Sequence, residues 1–178
     1  MTITLEENLR ISEIKQVAAQ MLTAARTAPK GKGIDHTVLA MVEGDDIKKI
    51  SKKLKELGEK YDHSGFLRDA ENILCAPVML LLGSKIKSIG LKKCGLCGYK
   101  DCAEKDQYPN IPCAFNPGDL GIAIGSAVSI AMDHRVDNRI MYTVGQAVME
   151  LGLLGEDVKI VYAIPLSATS KNPFFDRK

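Results

Sequence analysis

Val78-Met79-Leu80-Leu81-Leu82 is an unbroken apolar run of strand length. A strand wetted on one face alternates apolar and polar residues. A run with no polar member suits a strand covered on both faces. The expectation is therefore a central strand with a layer of helices on each side.

Working outward, the sequence before this run predicts a long helix over roughly Glu6 to Ala28. In it Ile14, Val17, Ala18, Met21, Leu22 and Ala25 recur at helical spacing and make one apolar face. Pro29 and the glycines of Lys30-Gly31-Lys32-Gly33 stop it. Ile34 to Val42 is rich in β-branched and apolar residues and predicts a strand. Gly44-Asp45-Asp46 turns the chain into a second helix, with Ile47, Ile50, Leu54 and Leu57 inward and a solvated lysine face outward. Phe66 to Leu74 predicts a short third helix.

After the apolar run, Ile86 to Ile89 predicts a short edge strand. Leu120 to Met132 predicts a helix apolar nearly all round, which should be fully enclosed. Gly121 and Gly125 would let another backbone approach along it, from the same chain or from a second subunit. Asp137 is expected to cap a further helix carrying Ile140, Val144, Ala147, Val148 and Leu151, and Val158 to Ile164 is the last predicted strand. Helices and strands mix without a strict βαβ repeat, so the expected fold is one α+β domain over residues 1–178.

Between the central strand and the enclosed helix lie Cys94, Cys97, Cys102 and Cys113, spaced C-x2-C-x4-C-x10-C. Thiolates are the metal-binding form of cysteine, and four close together form a cage for one metal centre. Gly95 and Gly98 sit where the chain must turn tightly beside the ligands. Zinc sites usually pair two close-spaced couples, and Cys102 with Cys113 is not such a couple. The expected occupant of the segment 91–117 is an iron–sulfur cluster of the 4Fe-4S kind, with zinc or two disulfides as alternatives. Six lysines (85, 87, 92, 93, 100 and 105) stand against Asp101, Glu104 and Asp106 in this region, a positive setting for an anionic centre. Asp101 with Glu104 predicts a capped short helix at Cys102, and Asn116-Pro117-Gly118-Asp119 predicts a second helix start with Asn116 as its cap. Each lysine taken singly is an ordinary solvated charge.

Composition excludes several classes. A net charge of +2 and the absence of tryptophan give no argument for nucleic acid. Leu120 to Met132 is too short to cross a bilayer, and Met1 to Glu7 lacks the basic-then-apolar order of a signal peptide. The expectation is a cytoplasmic protein, where free thiols survive and metal is favoured over disulfide.

The pattern Cys94-x2-Cys97-Gly98-x3-Cys102 with Cys113 beyond resembles the four-cysteine segment of a family of uncharacterised "ferredoxin-domain" proteins. The run from Asp137 to Ala147, continuing through Leu151-Gly-Leu-Leu154, is similar to that family's next helix. Outside the cysteines, Ala24-Ala25-Arg26-Thr27-Ala28-Pro29 before a strand, and a late helix, strand and basic tail, resemble the nitroreductase fold. That resemblance implies a three-layer sandwich with a mixed or antiparallel central sheet, a homodimer, and FMN at the dimer interface. By position its flavin-binding candidates are Arg26, Lys30, Lys32, Lys171 and Arg177. The Arg-x-Ser-x-Arg phosphate motif of nitroreductases is replaced by Asn8-Leu-Arg10-Ile-Ser12. The implied function is a redox protein, an FMN-dependent oxidoreductase in which the cluster serves the flavin, with a redox partner protein and a small-molecule substrate. The rivals are an electron carrier with a cluster and no flavin, and a zinc-stabilised structural or regulatory domain.

No catalytic side chain is expected, because the cofactor carries the chemistry. His36 is placed in a strand, and Asp62-His63-Ser64 only superficially resembles a hydrolase triad. Cys75 is expected to be a buried small hydrophobe, and Asp69 with Asn72 a cap or a buried polar pair.

Overall fold

The computed structural model describes residues 3–175. Four strands form one sheet in the order β1-β2-β4-β3, every neighbour antiparallel. They are β1 (Thr37–Glu43), β2 (Val78–Lys85), β3 (Asp137–Asn138) and β4 (Val158–Ser167). The long helices are α1 (Arg10–Thr27), α2 (Asp45–Lys60), α3 (Ser64–Ile73), α5 (Phe115–Asp133) and α6 (Tyr142–Glu150), with a one-turn helix α4 at Cys102–Asp106.

The apolar run sits where expected. Successive side chains of a strand point to opposite faces, and β2 feeds two cores. Val78, Leu80 and Leu82 pack with α1 and α5. Met79 and Leu81 pack with α2, α3 and α6. All five are fully buried, which makes this an α+β sandwich of three layers.

Several boundaries move, each for a local reason. β1 begins at Thr37 rather than Ile34, because the Asp35 carboxylate accepts from the Thr37 amide at 2.8 Å and hydroxyl at 2.6 Å and holds the chain in a turn. Residues 86–89 form no strand. The pairing of β2 with β4 shifts at Ser84/Lys85, and the chain then leaves the sheet towards the cysteines. Asp137 caps no helix: with Asn138 it pairs against Leu166 and Ser167, and Ile140 is exposed before α6 begins. Cys75 is exposed rather than buried, since it lies in the turn between α3 and β2.

α5 departs most from expectation. It starts at Phe115, so Asn116 lies inside its first turn instead of capping it. Nor is the helix fully enclosed. Leu120, Ala123, Ile124, Ala127 and Ala131 are buried on α1 and the sheet, whereas Ile122 and Met132 are exposed. A side chain at Gly118, Gly121 or Gly125 would meet open space. Among the described residues, only one side of this largely apolar helix is covered.

Asp69 is a buried polar anchor. It accepts from the Thr143 hydroxyl at 2.6 Å and the Arg68 guanidinium at 2.8 Å, tying α3 to α6. Asn72 and Arg139 both donate to the Phe174 carbonyl, at 3.5 and 2.9 Å, and hold the tail with the Phe174 ring fully buried.

A candidate metal centre in the cysteine segment

The segment between β2 and α5 is held at both ends by one side chain. Asn116 is 2% exposed. Its Oδ1 accepts from the Cys113 amide at 2.9 Å, and its Nδ2 donates to the Lys87 carbonyl at 2.9 Å. The entry and exit of the cysteine stretch are thereby fastened to the first turn of α5. Lys32 adds a further tie through its ammonium, which donates to the Gly90 carbonyl at 3.2 Å.

Inside the segment, Gly95 and Gly98 adopt φ of 75° and 86°, the left-handed region that glycine enters without strain. The Gly98 amide closes the turn on the Gly95 carbonyl at 3.0 Å. α4 starts as its sequence predicts. Asp101 Oδ1 accepts from the Glu104 amide at 2.9 Å and caps the helix, while Glu104 Oε2 accepts from the amide of Lys100, the residue before the cap, at 2.6 Å. These turns and caps are local, so they were readable in the sequence.

Cys94, Cys97, Cys102 and Cys113 line one pocket, together with Ile89 and Phe115. Burial rises from exposed Cys94, through half-buried Cys97 and Cys102, to buried Cys113. Among the described residues no three His, Cys, Asp or Glu side chains are drawn together as a ready metal-binding group. A single zinc would need all four sulfurs about 2.3 Å from one point. The space between the side chains is about 20 Å³, roughly room for one water, so a four-iron group would require the thiols to swing outward. The donor set fits such a group in kind: four cysteines line one pocket, three of them not fully buried, in a stretch with only one turn of helix.

The flavin candidates are placed differently. The Arg26 guanidinium pairs with the Asp35 carboxylate at 2.5 Å and donates to the Thr37 carbonyl and hydroxyl. Burial alone would raise the Asp35 pKa, but the Thr37 donors and Arg26 outweigh it and hold the group below its ordinary value. The Lys30 ammonium donates to the carbonyls of Ala25, Arg26 and Ala28 at 2.7–2.9 Å and closes the C-terminus of α1. Burial lowers the Lys30 pKa; nearby Asp35 and Asp119 act against it, and Arg26 reinforces it. Asp119 Oδ2 also accepts from the Gly31 amide at 3.0 Å. The loop after α1 is thus a self-neutralised cluster of Arg26, Lys30, Asp35 and Asp119. In a single chain it offers no free cationic cradle. Lys171 lies in the tail, where its carbonyl accepts from the Thr169 hydroxyl at 2.6 Å. Arg177 falls outside the described residues.

His36 precedes β1 rather than lying within it, and burial followed by the Lys87 charge lowers its pKa. His63 is the N-cap of α3, its Nδ1 accepting from the Gly65 amide at 3.1 Å. A capping nitrogen explains the Asp-His-Ser sequence without a triad. The residue that sequence reasoning missed is Asn116, which was assigned to a helix cap. Its hydrogen bonds to Lys87 and Cys113 depend on how the chain folds back.

Comparison with known proteins places these features. A family model described as "Uncharacterized protein containing a ferredoxin domain" matches residues 110–177, a span that includes Cys113 but begins after the other three cysteines. An uncharacterized protein of Archaeoglobus fulgidus is 38% identical over 180 residues, covering 97% of this chain and 96% of its own length. Among solved structures, a nitroreductase with bound FMN from Bacteroides fragilis has a TM-score of 0.60 at 13% identity, covering 92% of this chain and 81% of that one. A second, from Desulfitobacterium hafniense, also with bound FMN, has a TM-score of 0.60 at 18% identity, with 89% and 80% covered. A BluB-like flavoprotein from Clostridium difficile has a TM-score of 0.54 at 19% identity, with 88% and 84% covered. No helix among the described residues is long and apolar enough to cross a membrane. The chain belongs to the family of uncharacterized proteins containing a ferredoxin domain, and its fold is nitroreductase-like.

Proposed function

We propose that this is a redox protein in which Cys94, Cys97, Cys102 and Cys113 hold an iron–sulfur cluster as part of a single nitroreductase-like domain. The observation that carries the reading is that all four thiols line one pocket between the central strand and α5. When bound, such a cluster supplies one-electron transfer, and a flavin would couple single electrons to two-electron chemistry on a substrate. The chain's own part is to hold and orient the centre. Asn116 fastens the ligand stretch, the Asp101 cap of α4 fixes Cys102, and Ile89 and Phe115 restrict water on the inner side. Family and fold both favour redox work over a structural zinc.

FMN is a second reading, favoured by the fold neighbours that carry it. By position its phosphate candidates are Arg26, Lys30, Lys32, Lys171 and Arg177, of which Arg26, Lys30 and Lys32 donate to internal partners within the single chain. The open stripe of α5 at Gly118, Gly121, Ile122 and Gly125 supports a homodimer, because a second copy would cover it and complete an interfacial site.

Protein purified without oxygen should be brown, contain iron and sulfide, and show a broad visible band that bleaches on reduction. Colourless protein with stoichiometric zinc would sink the redox reading. Cys97→Ser should lose the metal and loosen residues 94 to 113, as checked by metal analysis and hydrogen exchange. Flavin released on heating would establish the second reading, and its absence from a brown preparation would leave a flavin-free electron carrier.

A further inference from the structure

Of the six lysines around the cysteines, Lys105 alone is buried, at 2% exposed. Lys85 is half-buried and pairs with Asp157 at 2.7 Å, and Lys87, Lys92, Lys93 and Lys100 are exposed. A buried ammonium is costly unless it is paired and its three N–H donors are met. Among the described residues the Lys105 ammonium has one partner, Asp106 Oδ1, at a long 3.4 Å. That oxygen already accepts from the Ser88 hydroxyl at 2.6 Å, and the Asp106 side chain is 56% exposed. Lys105 is therefore a buried charge with much of its demand unmet.

The unmet charge lies beside the pocket of cysteines. Lys105 follows Cys102 by three residues on α4, which sets the two side chains as neighbours on that turn. Through Asp106 Oδ1 the ammonium is also linked to Ser88, which lines the pocket with Cys94, Cys97, Cys102 and Cys113. The acids nearby, Asp101, Glu104 and Asp106, are exposed, so water and salt screen their charge. A buried charge is screened far less. An anionic centre in the pocket would supply the countercharge that the chain itself does not.

We propose that Lys105 is the buried countercharge of the metal centre, favouring its more negative, reduced form and so raising its reduction potential. This role rests on the iron–sulfur reading. Reduction adds one electron, supplied by the reductant, and no bond forms or breaks.

The test measures iron and sulfide on protein purified without oxygen. It then titrates the potential with dithionite in the parent, Lys105→Met, Lys93→Met and Asp106→Asn. Lys105→Met should shift the one-electron equilibrium towards the oxidised form at least about tenfold, about 59 mV. That shift should persist at about 1 M salt, where the screening length is about 3 Å. Lys93→Met removes the same charge from an exposed site and should move the equilibrium less than about threefold in that salt. Asp106→Asn leaves the ammonium less neutralised and should raise the potential; it decides the matter if Lys105→Met holds no cluster. An unmoved potential in Lys105→Met, a shift abolished by salt, an equal shift in Lys93→Met, or an unmoved or lowered potential in Asp106→Asn would each overturn the proposal. A parent without iron and sulfide would remove the redox reading and this role with it. Iron and sulfide with potentials that ignore Lys105 would remove the role alone.

Discussion

Gly145→Ala is expected to cost more than about 4 kcal/mol and to leave little folded protein. α6 lies flush on β4 at this position. A Cβ there would stand 1.8 Å from the Val161 carbonyl oxygen and 2.5 Å from its carbon. The obstacle is backbone, and Val161 pairs with Gly83 inside the sheet, so it cannot rotate aside as a side chain would. Overpacking that side chains can relieve costs about 1–3 kcal/mol; here α6 must lift from the sheet and expose Val144, Ala147 and Val148, which are fully buried. Glu150→Ala, at an exposed position of the same helix, should stay within about 0.5 kcal/mol of the parent. Urea unfolding of the three proteins checks the expectation. A Gly145→Ala midpoint close to the parent's would refute the close packing of α6 on β4.

Asn116→Ala should produce the second large effect, and it links stability to the candidate metal centre. The substitution removes both bonds of the clasp and strands the Cys113 amide and the Lys87 carbonyl. An unpaired buried polar group costs about 1–3 kcal/mol; the buried Cys113 amide carries that cost and the part-buried Lys87 carbonyl adds less, so the total is roughly 2–4 kcal/mol. Because both partners belong to the cysteine stretch, exchange protection should fall over residues 87–113 and metal should leave faster to a chelator. Asn116→Asp keeps the acceptor for Cys113 and loses the donor to Lys87, so it should fall between the two. Equal metal-release rates in parent and Asn116→Ala would show that the clasp does not hold the site. Unlike Cys97→Ser, this variant leaves every proposed ligand in place.

Much of the fold was legible because its signals are local or periodic. The five apolar residues at 78–82 announced a strand covered on both faces. Helical spacing located α1 and α2, and Asp101 with Glu104 announced the start of α4. The misplacements came where a long-range partner overrode local chemistry. Asp137 looks like a helix cap, yet its backbone pairs with Ser167. Asn116 before a proline looks like another, yet its amide serves a carbonyl 29 residues earlier. Leu120 to Met132 looks enclosed because it is apolar nearly all round, although the described residues cover only one side.

By itself, the sequence determined that this protein has a doubly covered central strand and four thiols at cluster-like spacing. Both are properties of residues near one another along the chain. Tertiary structure alone decided that Arg26 pairs with Asp35 and that the Lys30 ammonium is engaged by the carbonyls that end α1. It alone decided that a glycine in α6 bears on the backbone of β4. Charge and apolarity are written in the sequence, but whether a group is neutralised or covered depends on what folding brings within a few ångströms of it.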